Sequence, residues 1–199
     1  MNITHLNKSI LILFLLVFAN EFYAQNKIDK ARNFALSATI TNGFLANINY
    51  ETDFTKNIYY SPSARLLWKP NHKLNIGIES GYLTISKIDS SVVSTAFGNT
   101  SFKARLNALP LLLVFNMNIS KIQFYYGIGL SRITSRLEAF NDKVVVRSWY
   151  YCYNTSIAYS CKLSKNIELG IEAKSYFFPK LQKISGGAVV NLSYNFLKW

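Results

Sequence analysis

The chain has 199 residues, of which half are apolar, 15% are aromatic and only 16% are charged. That is too greasy for a disordered chain and low in charge for an ordinary soluble domain. Past the N-terminus there is no run of about 18 apolar residues, which excludes a transmembrane helix. The formal net charge is +12. On an exported chain rich in aromatics, that surplus points to anionic lipid phosphates and away from nucleic acid.

Met1 to Ala24 reads as a secretory signal peptide, with His5 and Lys8 ahead of the apolar stretch Ile10 to Ala19. Cleavage is expected between Ala24 and Gln25. Its removal takes away Lys8 and Glu21, so the charge does not change. Gln25 to Asn33 is a short polar lead-in on the periplasmic side, and residues 34–199 form the expected barrel domain.

Strand 1 is predicted over Phe34–Tyr50, apolar at even positions and polar at odd ones. Strand 2 covers Ile58–Lys69, with Pro62 predicting a bulge. Strand 3 covers Leu74–Ile85. Ser86 to Ser101 reads as a polar loop. Strand 4 covers Phe102–Met117, with Ala104, Leu106 and Ala108 expected outward and Lys103, Arg105 and Asn107 inward. From Leu109 to Phe115 both faces are apolar, so periodicity assigns neither. Strand 5 runs from Ile122 to about Arg132, and a charged loop from Arg136 to Lys143 follows.

Strand 6, entered from about Val144, has the clearest pattern. From Trp149 to Cys161 the odd positions are mostly aromatic or large, and the even ones small or polar. At about 3.3 Å per residue and a tilt of about 45°, Tyr151 to Tyr159 climbs about 19 Å. That approaches the apolar band of a transmembrane barrel with an aromatic girdle at each edge. Strand 7 covers Ile167–Phe177 and strand 8 Ile184–Trp199. Three short turns near residues 71, 119 and 164 alternate with four longer links near 54, 93, 139 and 181.

The predicted fold is therefore all-β: an eight-stranded antiparallel up-and-down transmembrane β-barrel. Closure leaves no sheet edge in lipid. Short turns on the periplasmic side put both termini there. The expected membrane-interface aromatics are Tyr60, Trp68, Tyr82, Phe124, Trp149, Tyr151, Tyr159, Phe177, Tyr194 and Phe196. A barrel of this size is filled by side chains. The expected lumen network sets Arg65, Lys103, Arg105 and Lys174 against Glu79, Glu168 and Glu172. If the turn after Pro70 brackets residue 72, Arg65 lies directly opposite Glu79.

No catalytic, cofactor-binding or metal site is expected. The only histidines are His5 and His72, neither placed for a Ser–His arrangement at the outer rim. Glu168 and Glu172 are about 13 Å apart along one strand, beyond the spacing of a glycosidase pair. Cys152 and Cys161 fall on opposite faces, too far apart for a disulfide. What remains is a non-enzymatic outer-membrane barrel acting in envelope structure or partner and adhesion contacts through its extracellular loops. The alternatives are a narrow pore or ligand carrier, an accessory barrel of a secretion system, and a soluble periplasmic lipocalin-like binding protein.

The pattern resembles the small outer-membrane β-barrel proteins of the OmpA/OmpX-like class, and within it the PorT-type barrels. The dyad strands, Asn107-Ala108-Leu109-Pro110-Leu111-Leu112-Leu113 and the end Tyr194-Asn195-Phe196-Leu197-Lys198-Trp199 carry the likeness. It implies outer-membrane insertion, with Tyr194, Phe196 and Trp199 as the signal for the barrel-assembly machinery. Trp199 has the opposite parity from Tyr194 and Phe196, so the terminal residues are out of phase. The resemblance implies no substrate.

Overall fold

The computed structural model describes residues 35–48, 58–70, 74–95, 98–139 and 142–198. The expected signal peptide and lead-in, Phe34, His72 and Trp199 lie outside the described residues. The chain forms β1 (Ala35–Ile48), β2 (Ile58–Tyr60), β3 (Ser63–Lys69), β4 (Leu74–Gly81) and β5 (Leu83–Thr95). It continues as β6 (Gly98–Ile119), β7 (Ile122–Ala139), β8 (Asp142–Lys162), β9 (Ile167–Phe178) and β10 (Lys183–Lys198).

These ten segments make eight barrel strands, because β2 with β3 and β4 with β5 each act as one. Every strand pairs antiparallel with the next, and β10 closes the ring on β1 from Ala35↔Lys198 to Ile48↔Ile184. The two interruptions sit side by side. Pro62 has no N–H to give to a ladder. Its carbonyl instead accepts from the Tyr82 backbone N–H at 2.9 Å, and the Ser61 hydroxyl donates to the Tyr82 carbonyl at 3.1 Å.

Side chains alternate as the period of two requires. On β3, Ser63, Arg65 and Leu67 are buried while Ala64, Leu66 and Trp68 are exposed. On β10, Ser185, Val189, Asn191, Ser193 and Asn195 are buried while Val190, Leu192, Tyr194 and Phe196 are exposed. The greasy set thus faces outward all round the barrel, including Ile40, Phe44, Leu111, Ile157 and Ile171. A lipocalin would turn that set into its own core.

The strands wind so closely that β4 needs a glycine. A Cβ on Gly77 would collide with the Leu66 carbonyl oxygen and lie 2.9 Å from the Leu67 Cα. Backbone cannot step aside as a flexible side chain can. Gly77→Ala is expected to cost about 1–3 kcal/mol, read as a lower urea midpoint of the refolded barrel. An unchanged midpoint would show that β3 and β4 can separate freely.

Two hairpins run further than the sequence suggests. The expected loop at residues 86–101 is the paired end of β5 and β6, from Leu83↔Ala108 to Thr95↔Gly98. The expected charged loop at residues 136–143 is the paired end of β7 and β8, up to Ala139↔Asp142. β9 accompanies β8 only between Tyr153↔Phe177 and Lys162↔Glu168. Beyond that level β5, β6, β7 and β8 project from the long-hairpin end of the barrel as a four-stranded sheet. Both faces of such a sheet leave the lipid, so the greasy-out alternation no longer applies.

Candidate functional site: a sealed lumen and a charged outer rim

Arg65 comes from β3, Glu79 from β4, and Glu172 and Lys174 from β9 on the opposite wall. The four side chains meet in the middle of the lumen and are all but inaccessible to solvent. Arg65 stands opposite Glu79 in the ladder, and its Nη2 lies 2.7 Å from Glu79 Oε2 and 2.9 Å from Glu172 Oε1. Lys174 Nζ lies 2.7 Å from Glu79 Oε1 and 3.8 Å from Glu172 Oε1. Two cations thus meet two carboxylates, and the cluster is neutral.

Neutral partners complete it. The Tyr176 hydroxyl donates to Glu79 at 2.7 Å, and Ser156 donates to Glu172 at 2.6 Å. Asn191 reaches Glu172 at 3.4 Å, and Lys174 donates to the Ser63 hydroxyl at 2.9 Å. Thr41 in turn bonds Ser63. The Arg65 guanidinium lies 3.8 Å from the centroid of the Tyr125 ring. A buried charge is tolerated only when it is paired and hydrogen-bonded in this way.

An apolar layer caps the cluster toward the long hairpins. Leu45, Leu83, Ile85, Ala108, Ile133, Cys152, Phe178 and Val189 belong to one buried cluster, with Leu106, Tyr150 and Leu181 packed against it. Toward the short turns the lining is small and polar, with Asn75 donating to Asn116 at 2.6 Å and Thr39 bonded to Ser193 at 2.7 Å. Charge layer and apolar layer thus stack along the lumen.

The expected lumen network lacks Ser156, Tyr176 and Phe178, while strand parity points Tyr125 inward without naming it a partner of Arg65. Parity could have found Tyr176 and Phe178, since they share the even face of Glu172 and Lys174. Glu168 shares that face too, but it is half-buried near the short-turn end, away from the four-residue cluster. Cys152 is buried and Cys161 is exposed, and both are free.

Lys103 and Arg105 correct the expected lumen network. Both are exposed, on the same outward face of β6 as Leu109, Leu111 and Leu113. Ala108 and Leu106 are the residues that pack inward, against the apolar layer. The reason is position: these residues stand past the lipid band, where charges can face outward and apolar side chains gain by facing in.

The expected interface aromatics fall at two levels. Trp68, Phe124, Tyr159, Tyr194 and Phe196 stand near the short-turn end. Tyr60, Tyr82, Trp149, Tyr151 and Phe177 stand near the long-hairpin end. All are exposed outward except Phe177, which is half-buried and stacks with Tyr153 at a ring distance of 6.5 Å.

No protein-family model and no curated protein sequence matches the chain. Solved structures do. Ail, the attachment invasion locus protein of Yersinia pestis, was solved with the heparin analogue sucrose octasulfate. It is 9% identical, with a TM-score of 0.52 over 84% of this chain and 100% of that one. A major outer membrane protein from Thermus thermophilus is 10% identical, with a TM-score of 0.54 over 82% of this chain and 99% of that one. At such identities the likeness is one of fold. The chain has the transmembrane β-barrel fold of small outer-membrane proteins.

Proposed function

We propose that this chain is a non-enzymatic outer-membrane barrel whose lumen is a rigid core and whose working surface is the projecting sheet of β5 to β8. The observation that carries this reading is the sealed lumen. The neutral cluster of Arg65, Glu79, Glu172 and Lys174 and the apolar layer around Phe178 stand one above the other across the lumen, which supports a closed barrel. What the protein contacts must then meet it from outside. The short turns face the periplasm in this reading, so the sheet stands outside the cell and meets envelope components or a partner protein. Export on Met1–Ala24 and assembly through Tyr194, Phe196 and Trp199 belong to the same reading. An accessory role in protein export has only the PorT-type resemblance behind it, and co-purification with secretion partners would test it.

The pore alternative makes a different prediction. Refolded protein in planar bilayers is expected to leave the membrane non-conducting at low and high salt. Stepwise, ohmic currents would overturn the sealed-lumen reading in favour of a pore.

A further inference from the structure

We infer that the upper edge of β8, Asp142 to Ser148, takes an added antiparallel strand: an extended segment of a partner protein in which apolar side chains alternate with polar ones, with an acidic residue opposite Arg147. This names the partner class for the projecting sheet and rests on the function proposed above. β8 pairs with β7 from Ala139↔Asp142 to Ile122↔Tyr159. On its other side β9 reaches up only to Tyr153↔Phe177. The chain then turns at Pro179–Leu181, and Pro179 has no N–H to offer. Two bonds fix the direction of the backbone groups. The Ser160 N–H donates to the Lys121 carbonyl on the β7 side at 3.0 Å, and the Leu163 N–H donates to the Ile167 carbonyl on the β9 side at 2.9 Å. In an antiparallel strand the N–H and C=O of one residue point the same way, and the direction alternates from residue to residue. Neither ladder of β8 has a bulge, so the odd residues turn toward the β9 side. Among the described residues no strand pairs with that side above Tyr153. Lys143, Val145 and Arg147 thus present their N–H and C=O groups to an open edge.

The two outer strands of the projecting sheet differ. β5 carries bulges at Thr84/Ser86 and Asp89/Ser91. The Asn47 side chain also donates to the Thr84 carbonyl at 3.2 Å and to the Ile85 carbonyl. Bulges twist an edge away from a would-be partner, and a side-chain donor occupies its carbonyls. Between Asp142 and Ser148, β8 has neither bulge nor proline, and it carries three successive valines. Val144, Val145 and Val146 are all exposed. A regular, β-branched edge is the form that accepts another strand, whose main-chain bonds give affinity and whose alternate side chains give specificity.

The neighbouring side chains define what that strand carries. On the inner face the row Ile88–Ala104–Leu137–Val144 is apolar across all four strands, and the row below it is Ser86–Leu106–Ser135–Val146. Ile88, Leu137, Val144 and Val146 are exposed. Apolar side chains beside Val144 and Val146 extend these rows and cover them. On the outer face Lys143 Nζ lies 3.5 Å from Glu138 Oε1. Arg147 is exposed in the row Thr84–Asn107–Thr134–Arg147, which holds no carboxylate. An acidic residue directly opposite Arg147 completes that row. The height admits a partner from the water. Val145 is four residues above Trp149, about 13 Å along the strand and about 9 Å vertically at barrel tilt. That clears the polar zone of about 5–8 Å, and Arg147, at half that height, holds the lower end of the strand at headgroup level. A second copy in the same membrane points the same way, so its β8 cannot run antiparallel to this one.

The test uses the folded mature barrel in neutral detergent and fluorescence polarisation. The probe is the labelled synthetic peptide Val-Glu-Val-Thr-Val-Thr-Val, which sets its glutamate opposite Arg147 and its valines along the inner face. Two analogues accompany it: one with lysine for the glutamate, and one N-methylated at the glutamate and threonine amides, which face β8 in the added strand. The N-methylated peptide is expected to bind at least about tenfold more weakly than the parent. Val145→Pro removes an edge N–H that β7 does not use, and is expected to weaken the parent peptide about tenfold. The unaltered barrel is expected to prefer the glutamate peptide to the lysine one by about threefold or more, and Arg147→Gln to bind the two alike. Lys121→Gln, at the short-turn end, is expected to keep the preference. Folding is checked by a gel shift between boiled and unboiled samples. If Val145→Pro gives no shift, the N-methylated peptide on the unaltered barrel decides. Equal binding of the N-methylated peptide, undiminished binding by folded Val145→Pro, or no preference for glutamate would overturn the site. A dimer of the unaltered barrel that Val145→Pro abolishes would assign the edge to a second copy and overturn the choice of occupant. A folded, non-conducting barrel that ignores the peptide fails this inference alone, whereas a conducting barrel fails the reading beneath it.

Discussion

Arg65→Ala is expected to lower the stability of the refolded barrel by about 3–5 kcal/mol, read as a lower urea midpoint in lipid vesicles. Among the described residues Arg65 is the one cation that touches both carboxylates at short range, at 2.7 Å and 2.9 Å. Without it, Glu79 and Glu172 share the single charge of Lys174, which is 2.7 Å from the first and 3.8 Å from the second. One buried negative charge is left over where little water can reach it. The comparison is Lys143→Ala, which breaks an exposed pair with Glu138 and is expected to cost at most about 1 kcal/mol. The double variant Arg65→Ala/Glu172→Ala restores neutrality by leaving Glu79 with Lys174. Its cost is expected to fall below the sum of the two single costs, as for any directly coupled pair. Strict additivity would show that the four charges do not act as one cluster.

The pairing of Arg65 with Glu79 was legible because two simple facts fix it. Side-chain parity put both inward, and the turn after Pro70 set the register. The far half of the cluster was harder. Glu172 and Lys174 announce an inward face, but nothing in the sequence says which wall of the barrel they confront. That follows only from closing the ring between β10 and β1. Parity points Tyr125 and Tyr176 inward, but it does not say that one ring lies under Arg65 and the other hydroxyl bonds Glu79.

The phase of β6 failed for a physical reason. From Leu109 to Phe115 both faces are apolar, because the inward residues Leu112 and Val114 fill the core while Leu111 and Leu113 meet lipid. With no polar marker in that run, a greasy-out rule carried up to Lys103 and Arg105 inverts the face. Past the lipid the rule reverses, and the sheet behaves like a soluble one with its charged face in solvent. The same reversal hid the upper hairpins. Ser86 to Thr95 is polar without alternation and does not advertise a strand, yet it is paired with β6.

Phe178→Ala is expected to cost about 3–5 kcal/mol, the usual effect of emptying a fully buried aromatic position. Phe178 ends β9 with no solvent exposure and belongs to the apolar layer that caps the ion cluster. Phe177, one residue earlier, points the other way and stacks on Tyr153. It is only half-buried, so Phe177→Ala leaves no enclosed cavity and is expected to cost about 1 kcal/mol, the scale of one aromatic contact. Urea midpoints of the two refolded variants decide the matter. If the costs are equal, parity at the end of β9 does not separate core from surface. The Phe178 variant also tests which layer seals the barrel. The apolar layer lies in series with the charge cluster, so opening it alone should leave planar bilayers silent. Conductance in Phe178→Ala but not in the unaltered protein would assign the seal to the apolar layer and leave the four charges as a stabilising belt around an open path.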